Sequence, residues 1–313
     1  MNSLRKTLLR IMFLAHKAGI HLGIYVLPAH YYVSIPNILE LMESKGVWTR
    51  KSELPGIDMD LSGQEARLKE ICMPYQHECA GNTVYKEAVA MEFGPGFGYV
   101  EAQALHGVIR HFRPRRVIEV GSGVSTRCML SAVEKNEAEY RCGSRITCIE
   151  PYPSDALSKL RGIELIMKPV QTTPFELYRE LGRGDLLFID STHTVKPGGD
   201  VNYLVLEVLP RLRQGVIVHF HDIYLPYDYP RDVLQTLFHG SETSLLHAFL
   251  INNAGVRIIF CLSQLHYERR DTLKRVFPEY RPQADDEGMY RETVKPFDYP
   301  TGHFPSSIYI EIE

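Results

Sequence analysis

The 313-residue sequence lacks any CxxC pair, its six cysteines standing singly at 72, 79, 128, 142, 148 and 261. That excludes a cysteine-rich zinc module, and six cysteines are too sparse for a disulfide scaffold. Cys148 (in ITCIE) and Cys261 (in RIIFC) lie within apolar runs, where buried free thiols are expected, consistent with a reducing cytoplasm. An excess of one charge sign is also missing. Thirty-five Lys+Arg against 38 Asp+Glu leave a net charge of -3, without the basic face that duplex nucleic acid requires. No fixed-period repeat or low-complexity tract occurs, and 44% hydrophobic with 23% charged residues is the composition of a soluble globular protein.

Long apolar runs are absent too. Leu4, Leu8, Ile11, Met12 and Ala15 recur at helical spacing, but His16, Lys17 and His21 cut the run short of a bilayer span. No small-residue cleavage site follows, which argues against a signal peptide. With Arg5, Lys6, Arg10 and Lys17 around it, a helix over residues 4–18 has the make-up of a peripheral membrane contact. Packing on its own domain, or on a second subunit of a homo-oligomer, is the preferred reading.

Residues 1–95 show no strand-helix rhythm and are expected to form a helical, irregular extension acting as a cap or acceptor-side region. Within it, Ser62 followed by Glu65 predicts a capping box for a helix over 62–73. After the Phe93–Gly98 break, the pattern alternates. Strands are predicted at 116–120, 145–150, 163–168, 185–190 and 215–220, separated by helices, as in a parallel, helix-covered sheet. Asp200 is expected to cap the helix that precedes the last of these. A strand at 256–261 and a late strand at 307–312 complete the pattern, the latter arriving without a crossover helix and so able to enter antiparallel. The charged, Pro/Tyr-rich stretch 262–306 reads as an inserted surface excursion or lid.

Glu119-Val120-Gly121-Ser122-Gly123-Val124-Ser125-Thr126 joins the first strand to its helix. Gly121 and Gly123 permit positive φ and close ligand approach, and the helix N-terminus offers free N–H groups. Such a loop suits a dinucleotide, S-adenosylmethionine, or a tight turn alone. Thr126 replaces the third glycine of GxGxxG, which weakens the dinucleotide reading. Glu119 would repel a pyrophosphate but could meet a ligand ammonium. Glu150, at the second strand's end, is placed for ribose hydroxyls or for solvent.

RVIEVGSGVSTRCML, ITCIEP, GDLLFIDSTH and LPRLRQGVIVHFHDIYLPYDYP, in that order, resemble the class I S-adenosylmethionine-dependent methyltransferases. More narrowly they look like a bacterial small-molecule and sugar O-methyltransferase branch found near natural-product pathways. The resemblance covers about residues 85–260 and the final SSIYIEI. It implies an α/β Rossmann-like sheet in the order 3-2-1-4-5-7-6 with the last strand antiparallel, and S-adenosylmethionine as cofactor. It further implies that Glu119, Gly121, Ser122 and Gly123 line the methionine part, with Ser125 and Thr126 starting the helix beside it. Glu150 would hold the ribose, Gln171 would lie near the adenine, and Asp190 would close the site beneath the sulfonium.

Asp190 and His193 follow the fourth strand, and His219, His221 and Asp222 end the fifth. In the family order these strands are neighbours only ~4.8 Å apart, so Asp190, His193, His221 and Asp222 should converge at the end where α/β folds bind ligands. A hydroxyl acceptor must lose a proton, and His193 is the candidate base, with Asp190 beside it. Asp190, His221 and Asp222 could hold Mg2+ or another divalent cation, as Asp-x-x-His with a later acidic pair is similar to the magnesium-dependent macrolide-sugar O-methyltransferases. His221 stands where those have a carboxylate, and imidazole is a poor magnesium ligand. His219 is expected in the core, and Asp222 alternatively caps a turn. Tyr31, Tyr32, Tyr224, Tyr227 and Tyr229 either line an acceptor pocket or pack their loops. The expected activity is O-methylation of a small-molecule or glycosylated acceptor. A non-catalytic S-adenosylmethionine-binding protein, a nicotinamide-dependent oxidoreductase and a metal hydrolase are the alternatives.

Overall fold

The computed structural model describes residues 3–94, 96–230, 233–234, 236–237, 239–281 and 305–313. Seven segments rich in branched residues pair into one sheet: β1 (Arg116–Val120), β2 (Arg145–Ile149), β3 (Ile163–Ile166), β4 (Leu186–Ile189), β5 (Ile217–His221), β6 (Val256–Cys261) and β7 (Ser307–Ile312). Their order is β3-β2-β1-β4-β5-β7-β6. The first five pair parallel, and β7 lies antiparallel between β5 and β6. This is the Rossmann-like order expected from the sequence.

Because side chains alternate across a strand, each central strand feeds two cores. Val117, Leu186, Phe188 and Ile217 pack into one, with the helices Tyr99–Phe112 and Val124–Tyr140 above them. Ile118, Leu187, Ile189 and Val218 pack into the other, under Val201, Leu204 and Leu246. Both faces are therefore dry, which explains why β4 is an uninterrupted apolar run.

The chain divides into two compact units, Met1–Trp48 and Thr49–Glu313. The first contains the helix Ser3–His21 and the short helices Ile38–Glu43 and Lys45–Trp48. The expected extension over 1–95 is thus not one piece, because residues 61–90 belong to the second unit. The reason is the exposed edge of β6, whose polar groups need partners. Arg67, on the helix Leu61–Cys72, donates to the carbonyls of Ile259 (2.8 Å) and Ile258 (3.1 Å), and the Cys261 N–H donates to Gln64 (2.8 Å). Leu68, Ile71 and Ala88 are buried in the same core as β1. The N-cap of that helix is Asp60, whose side chain accepts from Gly63 N–H at 3.0 Å, instead of the Ser62/Glu65 box.

The expected excursion over 262–306 is also corrected in part. Residues 262–276 form two helices, Leu262–Glu268 and Arg270–Val276, whose Leu265, Leu273 and Val276 are buried. Residues 282–304 lie outside the described residues. Asp200 is the first residue of its helix and not the cap, Gly199 taking that place. The helix continues through a π turn (Leu204–Val208) and a 3-10 turn (Leu209–Arg211). All six cysteines are free thiols, and four of them are buried.

Candidate functional site

The parallel strands β1, β2, β4 and β5 end on the same side, and their C-terminal tips frame a cleft. Gly121 leaves β1 at φ 75°, and its N–H donates to the Ile149 carbonyl at 3.0 Å. A Cβ at that position would stand 1.8 Å from the Asp190 carbonyl oxygen, so only glycine fits. Gly123, expected to share the positive φ, is instead extended at φ -178°, and its constraint is the Phe93 carbonyl oxygen 3.0 Å from a built Cβ.

One cavity of about 410 Å³ is bordered by Phe97, Gly121, Ser122, Gly123, Ser125 and Glu150, and on its far side by Asp190, His193 and Asp222. An adjoining cavity of about 340 Å³ shares Gly121, Glu150 and Asp190 and extends to Gln171 and Thr192. Glu150 stands between the two. Its carboxylate accepts from the N–H groups of Ser122 (3.3 Å) and Tyr152 (2.8 Å), which fixes it at the tip of β2. Gln171 donates to the Gly198 carbonyl at 3.1 Å.

Glu119 and Thr126 differ from their expected places. Both are fully buried, and neither borders the cavities. Glu119 faces inward from β1 and accepts from Ser125 Oγ (2.7 Å) and Thr126 Oγ1 (2.5 Å). Thr126 Oγ1 also accepts the Gly123 N–H at 3.0 Å. These bonds tie the loop to the start of its helix, so Glu119 shapes the loop and leaves no oxygen facing a ligand. Burial pushes its carboxyl up to about 7, against the lowering pull of Thr126 and Ser125.

Opposite the loop, Asp190, His193, His221 and Asp222 converge as the strand order requires. His193 Nε2 lies 3.3 Å from Asp190 Oδ1 and 3.6 Å from Asp222 Oδ2. His221 Nδ1 lies 3.2 Å from Asp190 Oδ1, and its Nε2 3.6 Å from Glu101 Oε1. His193 and Asp222 both hold left-handed backbones, at φ 56° and 53°. Such strain in non-glycine residues costs on the order of 1–3 kcal/mol and collects at functional sites.

Burial alone would depress both imidazoles, yet both are raised well above the ordinary value. For His193 the causes are hydrogen bonds to Asp190 and Glu242 and the charge of Asp222; for His221 they are the charges of Asp222 and Asp190. Conversely, burial would raise the Asp190 carboxyl, but the His221 charge and the bonds from both imidazoles hold it well below the usual carboxylate range.

Two participants are invisible to motif reading. Glu242, at the start of the helix Glu242–Leu250, is almost fully buried, and its Oε2 lies 2.8 Å from His193 Nδ1. Burial raises its carboxyl against the opposing pull of His193. Glu101, inside the helix Tyr99–Phe112, accepts from Ser306 N–H at 2.7 Å and backs His221. An acid within an otherwise buried helix was the available signal for Glu101; Glu242 gave only a helix-start charge.

The expected metal set changes in one member. Ligand atoms of Asp190, His193 and His221 lie within 4.8 Å of one another, with His193 in place of Asp222. Asp222 Oδ1 is instead engaged by Ser306 Oγ at 2.8 Å. His219 is a core residue as expected, stacked between Phe188 (4.2 Å) and Tyr309 (4.0 Å) and depressed by burial and by the His221 charge. Tyr227 and Tyr229 are buried against each other and border neither cavity.

Residues 118–223 match the family described as "Methyltransferase domain". An uncharacterized protein of Archaeoglobus fulgidus is 32% identical over 189 residues, 55% of this chain and 80% of that protein. Among solved structures, the methyltransferase PaMTH1 of Podospora anserina, bound to S-adenosylhomocysteine, is similar at 11% identity and a TM-score of 0.39, over 90% of this chain and 99% of that one. The O-methyltransferase TomG of Streptomyces achromogenes, in complex with S-adenosylmethionine, is similar at 15% identity and a TM-score of 0.39, over 62% of this chain and 89% of that one.

Proposed function

We propose that this chain is a class I S-adenosylmethionine-dependent methyltransferase that transfers the donor's methyl group to an oxygen of a small-molecule or glycosylated acceptor. The observation that carries the choice of oxygen is His193 at the rim of the cleft, Nδ1 anchored on Glu242 and Nε2 turned toward Asp190 and Asp222. A hydroxyl needs a proton acceptor at that point, and an imidazole held by a buried carboxylate is the arrangement that supplies one.

The cleft's residues suit the cofactor. Gly121 borders both cavities, and Glu150 offers a fixed carboxylate of the kind that binds ribose hydroxyls. Gln171 borders the side where an adenine would extend. S-adenosylmethionine supplies an activated methyl on a cationic sulfur, so the protein's share is alignment and proton removal.

Asp190, Glu242 and Asp222 raise the proton affinity of His193, and an imidazolium cannot accept a proton. Positive charge in the cleft opposes that bias, because it lowers the proton affinity of an adjacent imidazole. A neutral His193 in the loaded site would keep its Nδ1–H on Glu242 and offer Nε2 as the acceptor.

Asp190, His193 and His221 also fit a divalent cation. Two imidazoles and a carboxylate favour manganese, iron or zinc over magnesium. Bound there, a cation would lower the acceptor hydroxyl's pKa and fix its orientation. It would also occupy His193 Nε2, so metal ligation and base duty are alternatives for that atom.

The test is S-adenosylhomocysteine formation over a panel of hydroxylated small molecules, with and without chelator, in wild type and His193→Ala. Chelator-resistant activity that falls about a hundredfold or more in the variant, with cofactor affinity retained, is the expected result for a base. Full activity in the variant excludes both roles of His193.

A further inference from the structure

We propose that the helix Ser3–His21 and the segment after it form a docking surface for an anionic lipid bilayer. At roughly 100° per residue, Leu8, Ile11, Leu14, Ala15 and Ala18 fall on one broad side of the helix. Within its own compact unit this face is uncovered. Here Leu8 is 57%, Ile11 58% and Leu14 65% exposed, and Phe13 and Ile20 carry exposed apolar surface round the next flank. Arg10 and Lys17, two turns apart, fall together along one margin of that side. Basic side chains beside a wide apolar face can reach headgroups while the face itself sinks toward the acyl chains.

Charge selects the occupant. The first 39 residues hold four Lys/Arg and not one Asp or Glu, whereas the remaining 274 hold 31 Lys/Arg against 38 Asp/Glu. The net positive charge of this stretch thus coincides with the exposed apolar side chains of its helix. A second copy would bring like-charged faces together, while an anionic surface complements both features. Tyr31 and Tyr32, at 83% and 84% exposure, add amphipathic rings of the kind that settle at a water–bilayer boundary. The helix lies on the surface and does not span it: no described helix is long and apolar enough to cross a membrane. At 19 residues it is about 28 Å long.

The experiment is co-sedimentation of the full chain with vesicles of phosphatidylcholine alone and of phosphatidylcholine with phosphatidylglycerol. Binding to the anionic vesicles is expected, at least about tenfold weaker without phosphatidylglycerol and weakened again by added salt. Ile11→Glu with Leu14→Glu, and separately Arg10→Gln with Lys17→Gln, should each reduce it by about tenfold or more while S-adenosylhomocysteine binding is unchanged. No sedimentation with anionic vesicles, or equal sedimentation of wild type and both double variants, overturns the proposal. So does a dimer that Ile11→Glu with Leu14→Glu turns into a monomer while wild type ignores vesicles. None of these outcomes depends on the chemistry at the cleft.

Discussion

Glu119→Gln removes a carboxyl that is buried on every side beneath the glycine loop, and its effect should depend on pH. In the unfolded chain this group titrates near 4.5; in the fold, burial moves it to about 7. That gap corresponds to about 3 kcal/mol. Below the unfolded value, both states are protonated and the burial penalty is not felt. As pH rises toward 7, the unfolded chain ionises while the folded one resists, so wild type loses stability across that window. Above it, both states are charged and the full penalty persists. The amide that replaces the carboxyl stays neutral throughout and can still accept from a helix hydroxyl. Urea unfolding of both proteins at several pH values isolates the effect, because every other titrating group is common to both. Wild-type minus variant stability should fall by about 3 kcal/mol between about pH 4.5 and 7 and then level. Parallel curves, or a difference that grows with pH, would refute the burial argument and with it the inward placement of Glu119.

Two further outcomes follow from the site. Gly121→Ala forces a side chain into a left-handed backbone, at roughly 1–2 kcal/mol, and onto the Asp190 carbonyl. Calorimetry should find S-adenosylhomocysteine affinity reduced by about tenfold or more, and an unchanged constant contradicts the close approach. Glu242→Gln keeps the shape but not the charge behind His193, so turnover should fall more than cofactor affinity, and the acidic limb of the pH–rate profile should move to lower pH. A profile identical to wild type would make Glu242 a packing residue only.

The sheet was legible because each strand is a short branched run bounded by turn residues, and parallel order follows from the helices between them. The meeting of Asp190, His193, His221 and Asp222 was legible for the same reason, since neighbouring strand tips bring them together. What escaped depends on side-chain direction or on distant packing. Glu119 sits in the loop motif, yet strand alternation turns it into the core. Asp222 follows His221 directly, but its turn to positive φ aims it at Ser306. Glu242 reaches His193 across 49 residues through tertiary packing that no local pattern encodes. Residues 61–90 lack strand rhythm and still belong to the fold, because they satisfy the edge of β6.

The central claim, that the cleft between the β1 loop and the tips of β2 and β4 holds the methyl donor, is tested most directly by titrating the full chain with S-adenosylhomocysteine in a calorimeter, beside Glu150→Ala. One saturable site, weakened by about tenfold to a hundredfold when the carboxylate that would meet the ribose is lost, is the predicted result. Absence of binding heat at several temperatures, or a constant that Glu150→Ala leaves untouched, would contradict it.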